Sequence, residues 1–130
     1  MTTELTILGW SVILLLIQII LQTQFAVNEF GLPYALSPRD DRKTVKGPVA
    51  ARAGRVLGNF LETYPAFVGL ALAVTVANRA GGLSALGAEI WLIARIVYVP
   101  VYLTGVKGLR TAVWAISIVG LVMMVVALLG

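Results

Sequence analysis

The 130-residue chain is 59% hydrophobic and only 12% charged, with a mean hydropathy of +0.94, which excludes an ordinary water-soluble domain. It contains neither cysteine nor histidine, so disulfides, iron–sulfur clusters, thiolate zinc sites, a protein-borne thiol nucleophile and the usual imidazole base are excluded, and no metal site is expected. The formal net charge of +4 comes from a few basic residues set between apolar segments, a pattern of membrane topology rather than of nucleic-acid binding.

A membrane-crossing helix needs roughly 20 mostly apolar residues, so the length suits four crossings and short connections. The expected fold is all-α, a four-helix transmembrane bundle forming one domain over residues 1–130. The first span is expected over residues 5–27. Met1 to Glu4 lacks the basic region of a secretory signal, and the apolar run that follows is too long for one. Residues 31–48 hold Pro33, Pro38, Asp40, Asp41, Arg42, Lys43, Lys46 and Gly47, breakers and charges that prevent a buried helix, so this is the one substantial loop. The second span, 49–77, carries Arg52, Arg55, Asn59 and Glu62. Gly81 and Gly82 mark a turn, and the third span, 84–103, contains Arg95, Tyr98, Pro100 and Tyr102. Gly105 and Gly108 mark the last turn before a nearly uniformly apolar span over 109–129.

Four crossings place loops 31–48 and 104–108 on one side. Arg39, Arg42, Lys43, Lys46, Arg52, Arg55, Lys107 and Arg110 fall on that side and Arg79 opposite, so by the positive-inside rule the two loops face the cytoplasm and the termini the periplasm or lumen. In a bacterium this is the inner membrane.

Arg52, Arg55, Asn59 and Glu62 are spaced three, four and three apart, which puts them on one side of a helix. Gly54 and Gly58, with Ala50 a turn earlier, form a small-xxx-small surface for close approach of a neighbouring helix. Trp91, Arg95, Tyr98 and Tyr102 form a second stripe at spacings of four, three and four. Glu62 and Arg95 lie at similar depth, ~13 to 18 Å from the cytoplasmic ends of their helices. A charge at the bilayer centre costs at least ~2.5 to 3.5 kcal/mol, so both are expected to face the bundle interior and pair. Such a pair alone is compatible with structural glue. The remaining stripe residues, with Arg110 at the start of the last span, make a cationic pocket whose natural ligand is an anionic polar molecule entering from the cytoplasm, beside lipid that can deliver an apolar second substrate. Gln18 and Gln22 reach either that pocket or another helix. Trp10 and Trp114 read as interfacial anchors or packing, Pro100 as a kink shaping the pocket, and Lys43 and Lys46 as topology or anionic-lipid residues.

The run Arg55-Val-Leu-Gly-Asn59-Phe-Leu-Glu62-Thr-Tyr-Pro65-Ala-Phe67, with Arg95, Tyr98, Tyr102 and the later Arg110, resembles the family of membrane-associated proteins in eicosanoid and glutathione metabolism (MAPEG), which includes the microsomal glutathione transferases. The resemblance covers essentially the whole chain. It implies a homotrimer with glutathione as co-substrate, bound between subunits. Arg52, Arg55, Asn59, Glu62, Arg95, Tyr98 and Tyr102 would hold the tripeptide. Arg110 is the implied catalytic residue, stabilising the glutathione thiolate, since a nearby cation lowers a thiol's pKa from ~8.5. Asn28 and Glu29 stand where family enzymes usually carry basic residues, and Thr63 where a tyrosine often follows the glutamate. The function implied is a glutathione-dependent transferase or peroxidase acting on lipophilic electrophiles. The alternative is a non-catalytic lipid-binding or scaffold member. A small drug transporter would carry its embedded carboxylate in the first span, which lacks one between Leu5 and Val27.

Overall fold

A computed structural model describes residues 1–38, 43–106 and 108–130. Arg39, Asp40, Asp41, Arg42 and Lys107, which entered the loop and charge readings, lie outside the described residues. The described chain is helical: α1 Thr3–Phe30, α2 Leu32–Leu36, α3 Pro48–Val76, α4 Gly82–Thr104 and α5 Leu109–Leu129. All but α2 are long and apolar enough to cross a membrane. The short α2 lies within the segment read as loop, with Leu32 and Leu36 exposed.

The ends of the helices follow from local chemistry. Thr2 caps α1 by accepting the Leu5 N–H at 3.2 Å. Glu29, at the far end of α1, accepts the N–H groups of Lys46 and Gly47 at 2.7 and 2.9 Å. A carboxylate thus sits at the positive start of α3, where Pro48 opens the helix. Asn78 takes the left-handed conformation at φ 57 in the turn to α4. Gly81 precedes α4 and offers no capping side chain, and the fully buried Glu4 of α1 accepts its N–H at 2.9 Å instead. The α4 helix ends on left-handed Gly105 (φ 73), where Arg52 donates to the Leu103 carbonyl at 3.2 Å. A cation therefore closes the negative end of that helix.

The central pair is α3 and α4; α1 packs on both from one side, and α5 packs on both from the other. The inward face of α3 is Ala53, Val56, Phe60, Tyr64, Phe67, Ala71 and Val74, a heptad-like seam of small and aromatic residues. Trp91 of α4 is fully buried against it, stacked on Phe67 at 3.9 Å between ring centroids. The α4 and α5 helices approach closely at two glycines, where a Cβ on Gly87 or on Gly120 would lie 2.5 Å from the other's carbonyl oxygen. Gly54 and Gly58 do not serve this purpose within the chain. A Cβ on either would meet nothing within 4 Å, so their surface is an open flank of α3.

Candidate functional site

Because α3 turns its aromatic seam inward, its polar stripe is rotated to the flank. Arg55 and Glu62 are exposed and Asn59 is half-buried. On α4, Tyr98 and Tyr102 are buried beside that flank, with ring centroids 5.5 Å apart. Tyr102 is where three helices meet. Its hydroxyl accepts from Arg55 Nε of α3 at 3.2 Å, and the guanidinium carbons of Arg55 and of Arg110 on α5 lie 5.9 and 4.9 Å from its ring centroid.

Three adjoining depressions share Tyr102. One of 280 Å³ is lined by Asn59, Tyr98, Tyr102, Arg110, Thr111 and Trp114. The next, of 310 Å³, runs past Arg52, Arg55, Gly105 and Arg110, and the third, of 360 Å³, is lined by Arg55, Gly58, Asn59, Glu62 and Tyr102. Together they form an open groove on one side of the bundle, at the end that carries α2 and the α4–α5 turn. Among the described residues, two exposed guanidiniums, two phenols and a single carboxylate face it. Such a groove favours a polar ligand with more acidic than basic groups.

The expected inward pair of Glu62 and Arg95 is not formed. Arg95 is 1% exposed, and its head donates from Nη1 to Asn59 Oδ1 at 2.7 Å and from Nη2 to Thr63 Oγ1 at 2.6 Å. Neutral oxygens replace the carboxylate as its partners. Glu62 lies two residues along from Phe60 on a helix that advances about 100° per residue, so it points away from the seam that Phe60 fills. The structure thus divides the expected binding set. Arg55, Asn59, Glu62, Tyr98, Tyr102 and Arg110 line the groove, Arg95 supports it from beneath, and Arg52 both lines it and closes α4.

Several groove residues carry no signal beyond position. Trp114, read as an anchor, and Thr111 face the groove because they follow Arg110 by one turn and by one residue. Thr63 was noted only as a departure from a family pattern, yet it completes the Arg95 cradle. Gln18 neither lines the groove nor makes a hydrogen bond to another helix: it is buried and its amide donates to Leu14 O of its own helix at 3.4 Å. Gln22 lines a separate 190 Å³ cavity between α1 and α2, with Phe30, Tyr34 and Lys43. There the Lys43 ammonium sits 4.8 Å from the Tyr34 ring centroid, a local contact beyond the topological role expected of it. Among the described residues no cluster of three or more His, Cys, Asp or Glu gathers to hold a metal.

Comparison with protein families gives a match of the family model described as "MAPEG family" to residues 7–130. No curated protein and no solved structure matches the chain.

Proposed function

The chain belongs to the MAPEG family, membrane proteins associated with glutathione and eicosanoid metabolism, and from that premise we propose that it is a glutathione-dependent transferase or peroxidase acting on lipophilic electrophiles. The observation that carries this reading is the convergence of Arg55 and Arg110 on the single ring of Tyr102, with Asn59 and Glu62 in the same groove. Glutathione has two carboxylates, one ammonium, two amide carbonyls and a thiol. The groove offers guanidiniums for the carboxylates, one carboxylate for the ammonium, and Asn59, Tyr98 and Tyr102 for the polar middle. Arg110 is the cation assigned to the thiolate. Trp114 and the apolar outer face of α5 form the side from which a lipophilic partner arrives.

The proposed assembly is a homotrimer. The reason within the chain is Glu62, a carboxylate midway along α3 and exposed, beside Gly54 and Gly58, whose surface is open. Facing hydrocarbon it would cost ~2.5 to 3.5 kcal/mol or more, whereas a second copy packed on that flank would bury it and close the groove into a site between subunits. The groove end is assigned to the cytoplasm on the charge asymmetry, with the termini on the opposite side.

The test is purified protein in detergent, mixed with glutathione and a generic aryl halide electrophile. Conjugate formation with a thiolate absorbance on glutathione binding supports the reading. Absence of glutathione binding and of thiolate absorbance eliminates it, and lipid co-purifying in the groove without glutathione affinity turns the assignment to a lipid-binding scaffold.

A further inference from the structure

Arg95 is charged, almost fully enclosed and, among the described residues, without a hydrogen-bonded carboxylate partner. Its cradle is made wholly of α3 oxygens, Asn59 Oδ1 at 2.7 Å and Thr63 Oγ1 at 2.6 Å, under the rings of Tyr98 and Phe60 at 5.3 and 6.0 Å. Two features of this arrangement matter for the groove. A guanidinium carries only donors, so the atom of Asn59 that faces it must be the amide oxygen. The nitrogen is then turned the other way, and Asn59 lines two of the three depressions. A free asparagine presents either a donor pair or an acceptor by rotating its terminal torsion. This one has a single choice.

We infer that Arg95 is a positioning residue, which locks the Asn59 amide from inside the bundle so that this point of the groove offers N–H donors to a ligand's carbonyl or carboxylate oxygen. Thr63 takes the second guanidinium nitrogen, so the plane of the fork, and with it the amide, is held at two points. The inference deepens the glutathione reading and rests on it for the identity of the ligand; the lock itself does not. A merely structural role, tying α4 to α3, requires the same two bonds but lowers ligand affinity to the same extent whether or not Asn59 is present.

The experiment has two arms. The chain has three asparagines, Asn28, Asn59 and Asn78, so selective ¹⁵N-asparagine labelling in nanodiscs gives three side-chain amide pairs, with that of Asn59 identified by its loss in Asn59→Asp. In the unmodified protein it is expected as one sharp pair. In Arg95→Lys, which keeps the charge but not the fork, it is expected to shift and broaden through rotation. The second arm is a double-mutant cycle on glutathione affinity measured by calorimetry. Arg95→Lys should weaken binding by about 3- to 10-fold, the worth of one misdirected hydrogen bond, and by less than about twofold in an Asn59→Ala background. An unchanged Asn59 signal, or an equal loss of affinity in both backgrounds, overturns the inference. Should Arg95→Lys fail to fold, Thr63→Val removes one of the two holding bonds and is read in the same way. If the unmodified protein binds no glutathione, the glutathione reading falls, and the amide signal alone still decides for or against the lock.

Discussion

Replacing Tyr102 tests the groove at its centre, because the same ring receives Arg55 and Arg110 and borders all three depressions. Tyr102→Phe keeps the ring and removes only the hydroxyl that accepts from Arg55 Nε at 3.2 Å. Hydrogen bonds to charged groups contribute ~1.5 to 3 kcal/mol, and the exposure of Arg55 brings this one to about 1 kcal/mol, or roughly fivefold in glutathione affinity. Tyr102→Leu also removes two ring–guanidinium contacts, worth about 0.5 to 1 kcal/mol each at such exposure. The sum of about 2 to 3 kcal/mol corresponds to a loss of roughly 30- to 150-fold. Calorimetric titration with glutathione measures both variants, and thermal unfolding without ligand separates loss of the site from loss of the fold. A Leu variant within twofold of the unmodified protein would falsify the convergence of the two arginines as the basis of binding; a Phe variant as damaged as the Leu variant would place the effect in the hydroxyl and not in the ring.

Arg110→Ala should abolish the thiolate absorbance of bound glutathione while lowering its affinity by less than tenfold, and Arg110→Lys should retain part of the signal; unchanged absorbance in the Ala variant rejects the assignment of the thiolate to this residue. Trp114→Ala, which opens the outer wall of the 280 Å³ depression, should raise KM for a lipophilic electrophile more than the Kd for glutathione, and a change confined to glutathione would contradict the placement of the apolar substrate along α5. Gly120→Ala puts a Cβ 2.5 Å from Gly87 O and 2.9 Å from the Trp91 backbone nitrogen, so α4 and α5 must part, at about 1 to 3 kcal/mol. Tm in detergent should fall accordingly, while Gly69→Ala, with nothing within 4 Å of the new Cβ, serves as the reference that does not show this clash.

Four membrane-crossing helices were legible because apolar runs of this length have few other uses in a chain so poor in charge. The groove residues were legible as a set because three- and four-residue spacings place side chains on one face. What spacing does not encode is the rotation of that face about the helix axis. Arg55, Asn59 and Glu62 recur at helical intervals, but so do Val56, Phe60, Tyr64 and Phe67, and only packing against Trp91 decides which set turns inward. Glu62 was accordingly placed inside the bundle when it lies on its flank. Arg95 was matched to it because the two lie at similar depth, although two neutral oxygens one turn apart on α3 satisfy a guanidinium at lower desolvation cost than an ion pair. Glu4 escaped notice as a cap because the group it serves, the N–H of Gly81, is 77 residues away in sequence. The helix α2 was hidden by Gly31 and Pro33, which break a long helix but open a short one.

The decisive measurement is the titration of glutathione into the unmodified protein in lipid nanodiscs, followed by heat. Saturable binding, abolished or weakened at least tenfold in Arg55→Ala and in Glu62→Gln, is the expected result. Absence of saturable heat, or affinity indifferent to both substitutions, would contradict a glutathione groove on the α3–α4–α5 flank.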